Sequence, residues 1–98
     1  MSMISHGFAP TTSGARYVQQ LVKHWSHKFA TTYADGHGEV PFSDAAAAAF
    51  DVRDDGIAIT LTTPGAEDDA RMRGVIQVHL DRFAFREAPL SYSWDDAA

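Results

Sequence analysis

Three observations predict an α+β fold built on one antiparallel sheet. Two segments, at about 13–27 and 66–84, repeat their apolar residues at helical spacing. Shorter segments alternate apolar and polar residues, as half-buried strands do. The resulting order is β-α-β-β-β-β-α-β, and two helices with one apolar stripe each bury it most simply on a shared sheet face. The expectation is therefore about five or six strands with both amphipathic helices on one side, in a single small domain of 98 residues.

Each element has its own justification. Residues 3–9 set Ile4, His6 and Phe8 among small residues, a short strand. Pro10 breaks it, and Thr12 or Ser13 is placed to cap a helix. Ala15, Val18, Leu21, Val22, Trp25 and Phe29 then share one stripe, with Tyr17 at its rim. Phe29 to Tyr33, rich in threonine and aromatics, reads as a strand. Asp35-Gly36-His37-Gly38 reads as a turn, because glycine permits positive φ. Glu39-Val40-Pro41-Phe42 reads as a short strand, at an edge or a bulge because proline has no N–H to donate.

The five alanines at 45–49 favour helix by propensity. Their context favours strand: Arg53-Asp54-Asp55-Gly56 is a hairpin loop between two alternating runs. Ala48, Phe50 and Val52 would then face the core with Ile57, Ile59 and Leu61; a helix over 44–50 is the alternative. Pro64-Gly65 ends the next strand. Glu67, Asp68 and Asp69 suit the first turn of a helix, where the dipole favours negative charge. Met72, Val75, Ile76, His79, Leu80 and Phe83 follow the i, i+3, i+4, i+7 pattern. Pro89 bars its continuation. Leu90, Tyr92 and Trp94 alternate with serines as a last strand, and residues 95–98 read as a frayed tail.

Composition excludes several classes of function. The absence of cysteine removes disulfides, thiolate metal sites and cysteine nucleophiles. No apolar run approaches the roughly 20 residues of a membrane helix, and the N-terminus lacks a signal-peptide pattern, so a cytoplasmic location without membrane contact is expected. The net charge of −5 argues against nucleic acid, whose phosphates demand many Lys and Arg contacts. The charge is uneven. Residues 1–34 carry Arg16, Lys23 and Lys28 and no acid, while all 13 acidic residues follow. Two readings stand: the halves complement each other in the fold, or the first helix shows a basic face to an anion.

The polar residues that can carry chemistry cluster at two helix ends. His79 falls near the centre of its stripe and should be largely buried, as a core histidine with one hydrogen bond or as a ligand. Arg82 and Arg86 follow on the same face, with Glu87 as a pairing partner. Lys23, His24, His27 and Lys28 form a basic cluster near the end of the first helix, where the dipole favours cations. His24 and His27, three residues apart, are metal candidates, with His37 and His79 as third ligands, since zinc needs at least three from the protein. The wheel opposes this, because it turns His27 away from the core. Trp25 reads as core before stacking platform. No nucleotide loop or nucleophile elbow is present.

Ala15-Arg16-Tyr17, Leu21, Lys23-His24-Trp25, His27-Lys28-Phe29, His37-Gly38, Pro41-Phe42 and above all His79-Leu80-Asp81-Arg82-Phe83-Ala84-Phe85-Arg86-Glu87 resemble the bacterial family called domain of unknown function 2218. The resemblance spans about residues 10–94; the alanine tract departs from it. It implies a small α+β protein, and similar domains occur fused to siderophore-interacting, flavin-dependent ferric reductases, which suggests a role near iron uptake. It assigns no catalytic residue. The expected function is thus a non-catalytic accessory or binding domain without a cofactor. Lys23, His24, His27, Lys28, His79, Arg82 and Arg86 would face an anionic small molecule or an acidic protein. A histidine metal or enzyme site and a self-association module are the alternatives.

Overall fold

The computed structural model describes residues 2–95. Its elements are β1 (Met3–Pro10), α1 (Gly14–Trp25), β2 (Thr32–Ala34), β3 (His37–Pro41), β4 (Ala47–Arg53), β5 (Gly56–Thr63), α2 (Ala66–Phe83) and β6 (Ser93–Asp95). The sequence-derived order holds throughout. All pairings are antiparallel, in the order β2-β3-β4-β5-β1-β6. The chain thus makes a meander from β2 to β5, and β1 enters between β5 and β6.

Alternation puts Ser5, Gly7 and Ala9 of β1, Ile57, Ile59, Leu61 and Thr63 of β5, Ala48 and Phe50 of β4, and Val40 of β3 on one buried face. Both helices lie on that face and touch each other, α1 over β2–β4 and α2 over β5 and β1. Leu21, Val18, Ile76 and Leu80 complete the core. The alanine run does form a strand from Ala47: Ala48 pairs with Leu61 and Phe50 with Ile59. Burying the alternate positions against α1 outweighs the helix propensity of alanine. Gly38 lets α1 approach β3, since a Cβ there would stand 2.9 Å from Val22 Cγ2 and 3.2 Å from Val18 Cγ1.

Several boundaries differ from the expectation. The first helix ends at Trp25, and Phe29 sits beyond it in a turn where its N–H donates to the Trp25 carbonyl at 2.9 Å. Tyr17 is buried and Ala15 exposed, so the stripe is rotated toward α2 relative to the wheel. Ser13 occupies the N-cap of α1 without a side-chain cap bond. The strand expected at Phe29–Tyr33 is β2, shifted to Thr32–Ala34. The turn closes on Asp35 and Gly36 alone, both with positive φ, which frees His37 and Gly38 to join β3. β3 is not an edge, but β2 stops opposite Glu39, so Pro41 stands past its end. Asp95, expected in the tail, pairs with His6 in β6; residues 96–98 of that tail lie outside the described residues. Both true edges, β2 and β6, are three residues long, a length that discourages pairing with other chains.

Candidate functional site

The C-terminal end of α1 and the middle of α2 enclose an open groove of about 400 Å³. Trp25 closes the last turn of α1, and the turn after it brings Phe29 and Lys28 alongside. Phe42, just after β3, meets both aromatic rings edge-on, with centroids 5.0 Å from Trp25 and 5.2 Å from Phe29. This geometry suits aromatic quadrupoles and makes a rigid wall. Met72 and Val75 of α2 line the other side.

Polar groups stand at defined points on this apolar surface. His79 donates from Nδ1 to the Val75 carbonyl at 2.7 Å. A carbonyl only accepts, so Nδ1 carries a proton, and in the neutral tautomer this selects, Nε2 is the acceptor. The ring packs 5.1 Å from Trp25 and 5.8 Å from His24, and His24 packs 5.8 Å from Phe83. Lys28 and Arg71 are the charged residues that line the groove, both positive. Arg71 also reaches Asp68 at 3.0 Å, which uses one of its five donors. The groove therefore joins an apolar floor to cations and one imidazole acceptor, without an acidic lining residue.

A family model described as "Uncharacterized protein conserved in bacteria (DUF2218)" matches residues 6–95. The chain belongs to this family. It is also similar to a solved structure, the NMR structure of PA4090 from Pseudomonas aeruginosa, with a TM-score of 0.79 and 30% identity over 95% of each chain. No curated protein matches.

In this member of the domain of unknown function 2218 family the seven candidate binding residues divide. Lys28 and His79 line the groove, and His24 abuts it through His79. Lys23, His27 and Arg82 are exposed and line neither it nor a second, smaller pocket, where Arg86 is found. His79 is half-buried, on the side of α2 that meets α1, because Met72, Ile76 and Leu80 take the stripe's centre. The candidate metal histidines do not converge. His24 and His79 are neighbours and His27 is solvent-exposed. His37 belongs to the opposite sheet face, where Nδ1 contacts Asp51 at 2.6 Å and Nε2 contacts Glu39 at 3.0 Å. Those two carboxylates hold its pKa above the usual histidine value, the Asp51 contact most. Among the described residues no three or more His, Asp or Glu side chains are placed to hold a metal ion.

The expected Glu87–arginine pairing is also replaced. The helix stops at Phe83, and the turn after it directs Glu87 to α1, where it accepts from Thr11 Oγ1 at 2.9 and 3.1 Å and from the Tyr17 hydroxyl. That hydrogen bond, with burial, raises the Tyr17 pKa. Phe42, Met72 and Arg71 are site residues that sequence reasoning passed over. For Arg71 a signal existed: it stands one turn before Val75 and two before His79 on the same helix flank.

Proposed function

We propose that this protein is a non-catalytic binding domain whose groove takes a small amphipathic anion. The observation that carries this reading is the lining itself: three aromatic rings, with Lys28 and Arg71 as the charged residues beside them. The volume of about 400 Å³ falls within the roughly 300–1,000 Å³ typical of small-molecule sites. An aromatic or aliphatic body lies against Trp25, Phe42 and Val75. Its carboxylate meets Lys28 and the free donors of Arg71, and His79 Nε2 accepts a hydroxyl or amide proton. A ferric catecholate siderophore presents the same combination of aromatic ring and negative charge, which connects this site to the iron-uptake expectation.

Trp25 gives the test an internal reporter, since the other tryptophan, Trp94, pairs with Gly7 in the sheet. Indole-3-acetate, octanoate and a ferric tris-catecholate are titrated at low salt against tryptophan fluorescence and by calorimetry. At least one anion should bind, the amide of either carboxylate about tenfold more weakly than its acid, and Lys28→Ala with Arg71→Ala should abolish that difference and weaken the tris-catecholate. Equal binding of acid and amide, or no binding by any of the three probes, overturns the reading.

A further inference from the structure

The other end of the α1–α2 seam carries a second feature, independent of the groove. Arg16, Gln20, Phe83, Phe85 and Arg86 surround a pocket of about 120 Å³ with Tyr17 at its base. Neither arginine has an ion-pair partner among the described residues. The adjacent carboxylate, Glu87, is already held by Thr11 and Tyr17. Arg16 stands in the first turn of α1, which holds no acidic residue. The helix dipole disfavours a cation there and favours an anion. Folding alone therefore gives no reason for that charge at that place.

Phe85 adds the apolar half. It is 72% exposed, and the Arg86 guanidinium lies 5.7 Å from its ring centroid. The turn that presents it is firm: Ala84 N–H donates to Leu80 at 2.9 Å, Glu87 N–H to Ala84 at 2.8 Å, and the Glu87 carboxylate fastens the turn to α1. A preorganised, exposed aromatic flanked by arginines has the composition of an interface hot spot. The pocket is too small to enclose a whole ligand but accepts one carboxylate, with Phe85 left to meet what lies next to it.

The geometry points to a docking site for an acidic segment of a partner protein: a carboxylate side chain enters between Arg16 and Arg86, and the neighbouring apolar side chain packs on Phe85. Charge complementarity selects this occupant, because two unpaired guanidinium groups form the rim in a chain of net charge −5.

The probe is the peptide acetyl-Asp-Leu-Asp-Phe-Asp-Leu-amide, followed by heteronuclear NMR on the full chain, with the Asn-for-Asp peptide and sodium acetate in parallel. The acidic peptide should shift the Gln20 side-chain amide and the Phe85 and Arg86 backbone. Arg16→Ala, Arg86→Ala and Phe85→Ala, all exposed positions, should each weaken it about tenfold. Three results overturn the site: no shift at millimolar peptide, equal binding of the neutral peptide, or shifts centred on Trp25 and Val75 instead. If acetate reproduces the shifts and Phe85→Ala changes nothing, the pocket takes a small anion and not a protein segment, which also overturns the proposal.

Discussion

Asp69 is the residue on which most depends for its size. It is buried in the first turn of α2, accepts from Ser5 Oγ at 2.6 Å, and lies 2.8 Å from Arg73 Nε, though that N–H is poorly aligned with it. Arg73 in turn stacks 5.0 Å over Trp94 and donates to the Asp95 carbonyl at 3.3 Å. One carboxylate therefore ties α2 to β1 directly and to β6 through an arginine. Asp69→Ala leaves a largely buried guanidinium and a buried hydroxyl without their acceptor. A loss of about 2–4 kcal/mol is expected from urea denaturation. Adding Arg73→Met should recover part of it, and a double variant no more stable than Asp69→Ala would deny the coupling. His79 shows the limit of reading at this scale. A single hydrogen bond was expected as one reading of a buried histidine; that its partner is the Val75 carbonyl of its own helix was not. Its position beside His24 was not legible, because helical spacing says which flank a residue occupies but not which neighbour meets that flank.

At the scale of elements, the β3–β4 pair carries a pH-dependent staple. His37 lies directly across from Asp51, and both its ring nitrogens contact carboxylates, which only the imidazolium can satisfy as a double donor. A folded pKa raised above the unfolded value means that the stabilisation is complete below about pH 6.5 and fades as pH rises through the folded pKa. The side chain is 43% exposed, so solvent screening limits the effect to a few tenths of a kcal/mol. The wild-type urea midpoint should fall between pH 6 and 8.5 relative to His37→Gln, and parallel curves would contradict the staple. The β4–β5 hairpin depends on Gly56, where a Cβ would lie 2.4 Å from the Ala9 carbonyl oxygen. Backbone cannot move aside as a side chain can. Gly56→Ala should cost about 1–3 kcal/mol by thermal or urea unfolding, whereas the same change at Gly74, inside α2 with open space around it, should stabilise by about 0.5–1 kcal/mol.

Across the whole molecule, the two helices meet along a seam with a pocket at each end. The chain is acidic, yet Arg16 and Arg86 line one pocket and Lys28 and Arg71 the other, and no acid lines either. The uneven charge visible along the sequence thus becomes a surface, although half of its cations, Arg71 of α2 and Arg86 in the turn after it, come from outside the basic first third. Affinity for any anion at these pockets should drop severalfold between about 20 and 300 mM salt, because screening shortens the reach of exposed charges. A salt-independent affinity, measured by calorimetry on the wild type, would remove charge from the explanation. Among the described residues no helix is long and apolar enough to cross a membrane.

Element type and order were written in the sequence, because period-2 and period-3.6 patterns are local consequences of burying one face. That held even for the alanine run, where the flanking hairpin overruled propensity. Glycines and prolines marked most boundaries to within a few residues. The tertiary structure alone decided which helix flanks face each other. It brought Phe42 against Trp25, set Arg71 and Lys28 along one groove, and sent Glu87 to Tyr17 instead of an arginine. The physical reason is that each of these contacts joins side chains from different elements. Their meeting depends on how α1 and α2 rotate and end when both pack on one sheet, and the pattern along either helix does not contain that rotation.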